Sequence, residues 1–187
     1  MKKYIIILFV FVSILSCNNY KNDENIVISL GGEVATIDPH LNTANIGTVY
    51  IRHFFEGLMK KDKDGKIIPG IAERYEMSDD GLVYTFYLRT NAKWSDGKNF
   101  TADDFLYSYR RFVDPKTAAP YGHLMKPIKN ALKITKGEIP VEELGIKKID
   151  DYTLEITLEN PTAYFLELAD MYLPVRKDII EEYGNTW

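Results

Sequence analysis

The sequence predicts an α+β fold, and three observations carry that reading. Leu82–Leu88 alternates two surfaces, with Tyr84, Phe86 and Leu88 on one side and Val83, Thr85 and Tyr87 on the other, as a strand with one buried face does. A helix start at Thr101-Ala102-Asp103-Asp104 comes next, with Phe105, Leu106, Tyr109, Phe112 and Val113 at helical spacing. Further on, Tyr152, Leu154, Ile156 and Leu158 alternate with Thr153, Glu155, Thr157 and Glu159, which are expected to face water in a half-buried antiparallel strand. Strands and helices mix without a regular βαβ repeat, the pattern of an α+β unit.

From the start of the chain, Lys2 and Lys3 precede the apolar run Ile5–Leu15, too short to span a bilayer comfortably but suited to a signal peptide. The run ends in Ile14-Leu15-Ser16-Cys17, which resembles the lipobox of bacterial lipoproteins with Ile14 in place of the more usual leucine. Cys17 is the sole cysteine, so it has no partner for an intramolecular disulfide, and acylation accounts for it. Removing residues 1–16 takes away two lysines and no acid, so the net charge of −4 becomes −6. An acidic exported chain is not expected to bind nucleic acid electrostatically. A lipid on Cys17 would hold it at a membrane surface, with Asn18–Asn25 as a polar tether.

Ile26–Leu30 reads as a short strand that Gly31-Gly32-Glu33 ends, and Asp38-Pro39-His40 as a turn. Asn45–Leu58 is expected to be a helix with Ile46, Val49, Tyr50, His53 and Phe54 on one face and Gly57 near its end. Lys61–Lys66 is a charged hairpin turn, solvated rather than a recognition patch. Asp79-Asp80-Gly81 turns into the strand at Leu82, and Ser95-Asp96-Gly97 turns out of the next segment. The Thr101 hydroxyl is placed to cap the helix after it, the two aspartates suit the positive end of the helix dipole, and Asp114-Pro115 stops it. Helical pieces are expected from Ile128 to Lys136, then a hairpin from Ile146 to Glu159 turning at Asp150-Asp151. A helix is expected to run from Asn160-Pro161-Thr162 to Met171. Trp94 and the aromatic residues around it read as core.

No catalytic constellation is present. His40, His53 and His123 are widely separated and make no zinc-ligand spacing. The adjacent acid pairs sit at turns or a helix start, where capping and turn chemistry explain them better than acid–base catalysis. A phosphate-binding Gly-Lys-Ser loop is missing, so ATP hydrolysis would belong to a separate subunit. We therefore read a non-enzyme without cofactor or metal.

The run DDGLVYTFYLRTNAKWSDGKNFTADDFLYSYRRFVDPKTAAPY, from Asp79 to Tyr121, resembles the extracellular solute-binding proteins of peptide ABC transporters (solute-binding family 5), most closely the oligopeptide binders. GGEVATIDPHL and Phe54-Phe55-Glu56-Gly57-Leu58 extend the resemblance. It implies that the α+β segment belongs to a two-lobed α/β periplasmic-binding-protein architecture of type II-like form, here truncated. It divides the chain into residues 1–16 as signal peptide, 17–25 as lipidated cysteine and tether, 26–45 as the start of the large lobe, 46–174 as mainly the smaller peptide-facing lobe, and 175–187 as the start of the return. Trp187 then looks like a truncation point, and the chain alone is expected to bind peptides weakly or not at all.

The implied function is capture of oligopeptides outside the inner membrane and delivery to the permease subunits of an ABC transporter. The protein would be exported and lipid-anchored at the cell membrane, facing the periplasm or the cell exterior. Tyr121 matches the family tyrosine that reaches the peptide backbone, and Thr43, Ala44 and Asn45 match the loop bordering the ligand's N-terminal part. Thr43 stands near the place where well-known members offer a carboxylate. For Thr43 and Asn45 a plain helix N-cap is an equal reading. A truncated surface interaction lipoprotein and a pseudogene product stay open, as do dipeptide, nickel-chelate and signalling-peptide ligands.

Overall fold

Residues 31–184 and Trp187 are described in the computed structural model, and Gly32–Trp187 pack as one unit. The residues read from the sequence as signal peptide, lipidated Cys17, tether and the strand Ile26–Leu30 all lie outside the described residues.

Helix α1 spans Asn45–Phe54, ending four residues earlier than the sequence suggests. The reason is competition for backbone acceptors. The carbonyls of Gly57 and Leu58 take the N–H groups of Gly70, Ile71 and Ala72 at 2.9–3.1 Å, which requires extended chain there. The apolar face also differs from the expected one: Gly47 and Ile51 are the buried positions, while Val49 is exposed and Phe54 is 66% exposed. Strand β1 (Met59–Lys61) then pairs antiparallel with β2 (Ile67–Pro69) across the charged turn. The Asp62 carboxylate closes that turn by accepting from the Asp64 and Lys66 N–H groups.

The main sheet has four antiparallel strands in the order β3 (Ala72–Met77), β4 (Val83–Leu88), β6 (Thr153–Thr157), β5 (Ile146–Asp150). Alternation in β4 appears as expected: Tyr84, Phe86 and Leu88 are buried, and Tyr84 and Phe86 lie opposite Ile156 and Leu154 of β6. Thr153, Glu155 and Thr157 are half-buried rather than facing water, because strands flank β6 on both sides. β3 carries no such signal, being exposed at all but Ala72.

Helix α2 spans Ala102–Val113 and packs against β5. The Asp104 carboxylate accepts from the Thr101 N–H at 2.8 Å and from Trp94 Nε1 at 3.1 Å. With the Thr101 side chain facing the Asp104 N–H in return, the two residues form a capping box, so Thr101 stands at the cap as expected. At the other end Asp114 leaves helical geometry and Pro115 opens a 3-10 turn, so the helix stops where the proline requires. A ladder of rings runs Trp94, Phe100, Phe105, Tyr109 and Tyr172, with centroids 5.1–5.7 Å apart, which places Trp94 against the core.

The connection after α2 holds short 3-10 turns and helix α3 (Ala131–Thr135). Helix α4 spans Phe165–Met171, so Pro161 lies ahead of it instead of in its first turn. Phe165 sits 4.8 Å from the Tyr84 ring and closes the core beneath the sheet. Helix α5 (Lys177–Tyr183) comes last, and the Arg176 before it bonds Asp96 and Asp178.

Candidate functional site

The site is built on the turn Asp38-Pro39-His40, where the Asp38 carbonyl accepts from the N–H groups of Leu41 and Asn42. Arg111 of α2 grips this turn. Its Nη2 meets Asp38 Oδ2 at 2.8 Å, and its Nη1 meets Asp38 Oδ1 at 3.2 Å and His40 Nδ1 at 2.8 Å. An arginine has only donors, so His40 Nδ1 accepts, and the ring's proton sits on Nε2, which donates to the Leu173 carbonyl at 3.0 Å. Burial, with the adjacent Arg111 charge, pushes His40 down to about 4. The imidazole is therefore neutral at physiological pH. Burial acts to raise Asp38, but the Arg111 hydrogen bonds and charge outweigh it and hold the carboxyl below its ordinary value. His40 also stacks on Phe112, 4.8 Å between centroids, and Trp187 Nε1 donates to Asp38 Oδ2 at 3.2 Å.

Asn42 shapes the entry into α1. Its amide donates to the Ala44 carbonyl and to Thr48 Oγ1 while its oxygen accepts from the Ala44 N–H. Ala44 is the N-cap position of α1, so neither Thr43 nor Asn45 serves as the plain cap. Gly47 leaves room for this arrangement: a Cβ there would sit 2.0 Å from Asn42 Oδ1.

Tyr121 approaches from the other side, on the loop after α2. Ala118 takes a left-handed φ of 51°, and Gly122 lies so close to the Phe112 carbonyl that a Cβ would meet it at 2.6 Å. The loop is thereby laid against the end of α2, and Tyr121 stands 44% exposed. Tyr172 braces the next turn by donating to the Leu124 carbonyl at 2.7 Å.

Between these two parts lies a cleft of about 250 Å³, lined by Thr43, Asn45 and Tyr121 together with Arg52, Phe112 and Leu173, among others. Three of the four residues singled out in the sequence are thus brought together. Ala44 is not among the lining residues. No motif or spacing in the sequence marks Arg52. It lies about two turns further along α1, where its Nη1 bonds the buried carboxylate of Asp170 at 2.5 Å and the Asp170 carbonyl at 3.2 Å. Apolar rings, hydroxyls, side-chain amides and one cation make a surface that offers hydrogen-bond donors and acceptors. Among the described residues no group of three His, Cys, Asp or Glu side chains is placed to hold a metal.

Comparison with known proteins gives this geometry its class. Residues 66–187 match the family model of bacterial extracellular solute-binding proteins, family 5 (middle part). The periplasmic oligopeptide-binding protein OppA of Escherichia coli is 42% identical over 168 residues, covering 88% of this chain and 31% of its own length. The substrate-binding domain of an oligopeptide ABC transporter from Bacillus anthracis superposes with a TM-score of 0.81 at 44% identity, over 83% of this chain and 30% of that one. Haemophilus influenzae OppA, solved with the peptide RPPGFSPFR, also gives 0.81, at 37% identity over 84% of this chain and 31% of that one. The fold and the sequence matches together define the family. The chain belongs to the bacterial extracellular solute-binding proteins, family 5, and spans about a third of the length of the curated relatives it matches.

Proposed function

We propose that the chain supplies one wall of a peptide-binding cleft in an exported protein that captures oligopeptides and hands them to the permease of an ABC transporter. The observation that carries this reading is the convergence of Thr43, Asn45 and Tyr121 on one cleft, in a chain with relatives named for oligopeptide binding. Backbone and side-chain groups of Thr43 and Asn45 would pair with an extended peptide main chain, and the Tyr121 hydroxyl would reach it from the facing loop. Main-chain recognition is the same for any sequence, so such a cleft accepts varied peptides, with water filling the space around their side chains. In this proposal residues 46–174 belong mainly to the smaller lobe of a two-lobed protein, and a hinge closes the lobes by the ligand's extra affinity for the closed state. Acylation of Cys17 would keep the protein at the membrane beside its permease.

Calorimetric titration of the 187-residue chain, held in mild detergent, with a pool of tripeptides to pentapeptides tests the reading. Saturable binding that weakens about tenfold in Tyr121→Ala is expected. Binding of equal strength in the parent chain and in Tyr121→Ala would overturn it.

A further inference from the structure

Arg52 carries the only charged side chain among the described residues lining the Thr43–Tyr121 cleft. Both of its hydrogen bonds leave from Nη1, one to the Asp170 carboxylate and one to the Asp170 carbonyl. Nε and Nη2, which lie together on the other edge of the guanidinium, have no acceptor among the described residues. The side chain is 38% exposed, whereas that of Asp170 is 2% exposed. Asp170 therefore fixes the guanidinium from beneath and leaves a two-donor fork open. A fork of this kind matches the two oxygens of a carboxylate.

The surroundings favour an anion there. Arg52 also lines a second hollow with Lys60, Lys61, Glu56 and Asp170, the last being the carboxylate already bonded to its Nη1. Glu56 is matched by Lys60 at 3.2 Å and by Arg89 at 2.5 Å, so its charge is already countered. Lys61 has no ion-pair partner among the described residues. The Thr43–Tyr121 cleft itself has no carboxylate in its lining. On the reading that this cleft takes peptides, we propose that the Nε–Nη2 edge of Arg52 is a carboxylate-recognition point, making peptides with a carboxylate over α1 the preferred ligands. The carboxylate is either the peptide's C-terminus or an aspartate or glutamate side chain.

Two peptide pairs distinguish these sources on the intact chain: Ala-Ala-Ala against its C-terminal amide, and amidated Ala-Asp-Ala against amidated Ala-Asn-Ala. The expected result is that the charged member of at least one pair binds about tenfold more tightly, a difference of about 1.4 kcal/mol. Arg52→Lys keeps a cation beside Asp170 but removes the fork, and is expected to reduce that ratio to about twofold. Equal affinities within both pairs would overturn the proposal while leaving peptide binding intact, as would a ratio that survives in Arg52→Lys. If none of the four peptides binds, this inference falls together with peptide binding by the chain taken alone.

Discussion

Arg111 and Asp38, 73 positions apart in sequence, form a buried two-pronged ion pair at 2.8 and 3.2 Å that fastens the Asp38–His40 turn to helix α2. Thr43 and Asn45 come just after that turn, and Tyr121 just after that helix. The distance between the two sides of the cleft is therefore set by this pair and by the His40 ring that shares Arg111.

Removing one partner leaves the other buried and uncompensated. Arg111→Met is expected to lose about 3–5 kcal/mol of stability, measured by urea denaturation. Arg111→Lys should recover only part of this, because an ammonium cannot hold Asp38 and His40 in one plane. A loss below about 1 kcal/mol in Arg111→Met would show that the cluster is not what joins turn and helix.

His40 makes stability depend on pH in a defined window. Its folded value of about 4 lies below the ordinary 6.5, so between those values the unfolded chain binds the proton and the folded one does not. The contribution is fully present above pH 6.5 and is lost as pH falls toward 4, by roughly 3 kcal/mol in total at about 1.36 kcal/mol per pH unit. Asp38 acts at lower pH, since its value lies below the ordinary carboxyl range. Urea midpoints measured from about pH 7.5 to about pH 4 should fall along this curve, and the fall should be shallower in His40→Gln. Parallel curves for the two proteins would contradict it.

Two buried tyrosines should respond in opposite ways to loss of a hydroxyl. Tyr172 donates to the Leu124 carbonyl, so Tyr172→Phe is expected to cost about 1 kcal/mol. The buried Tyr109 hydroxyl has no hydrogen-bond partner among the described residues, so Tyr109→Phe should be neutral or stabilise by up to about 1 kcal/mol. Thermal melts of both variants check the pair. A clear loss in Tyr109→Phe would mean the hydroxyl is satisfied in solution.

Gly57 lies where a Cβ would meet the Ala169 carbonyl at 2.6 Å and the Asp170 carbonyl at 3.0 Å. Backbone atoms cannot swing aside as a side chain does. Gly57→Ala is expected to cost about 2–3 kcal/mol in urea denaturation, even though alanine is the better helix former and the sequence pattern reads as helix there. A neutral result would mean that α4 can shift away from this strand entry.

What is legible in the sequence is local. The alternation of β4, the helix stop at Asp114-Pro115 and the β5–β6 hairpin depend on neighbours within a few residues, and each is found in place. β3 gives no signal because it buries only one of its six residues and shows no alternation. The inward face of α1 is hidden because Asn42 and Gly47, neither of them an apolar marker, decide which side packs inward. The site divides in the same way. Tyr121, Thr43 and Asn45 are reached through a resemblance in wording, whereas Arg52 with Asp170, and Arg111 with Asp38 and His40, join positions 71–118 apart that no spacing rule connects.

The most direct test of the peptide cleft is to map backbone amide shifts on the chain during titration with trialanine. Shifts concentrated at Thr43, Asn45, Arg52 and Tyr121 are the result expected here. Shifts confined to the groove between α2 and α5, at Leu106, Arg110 and Ile180, would contradict it and move the binding surface to another side of α2.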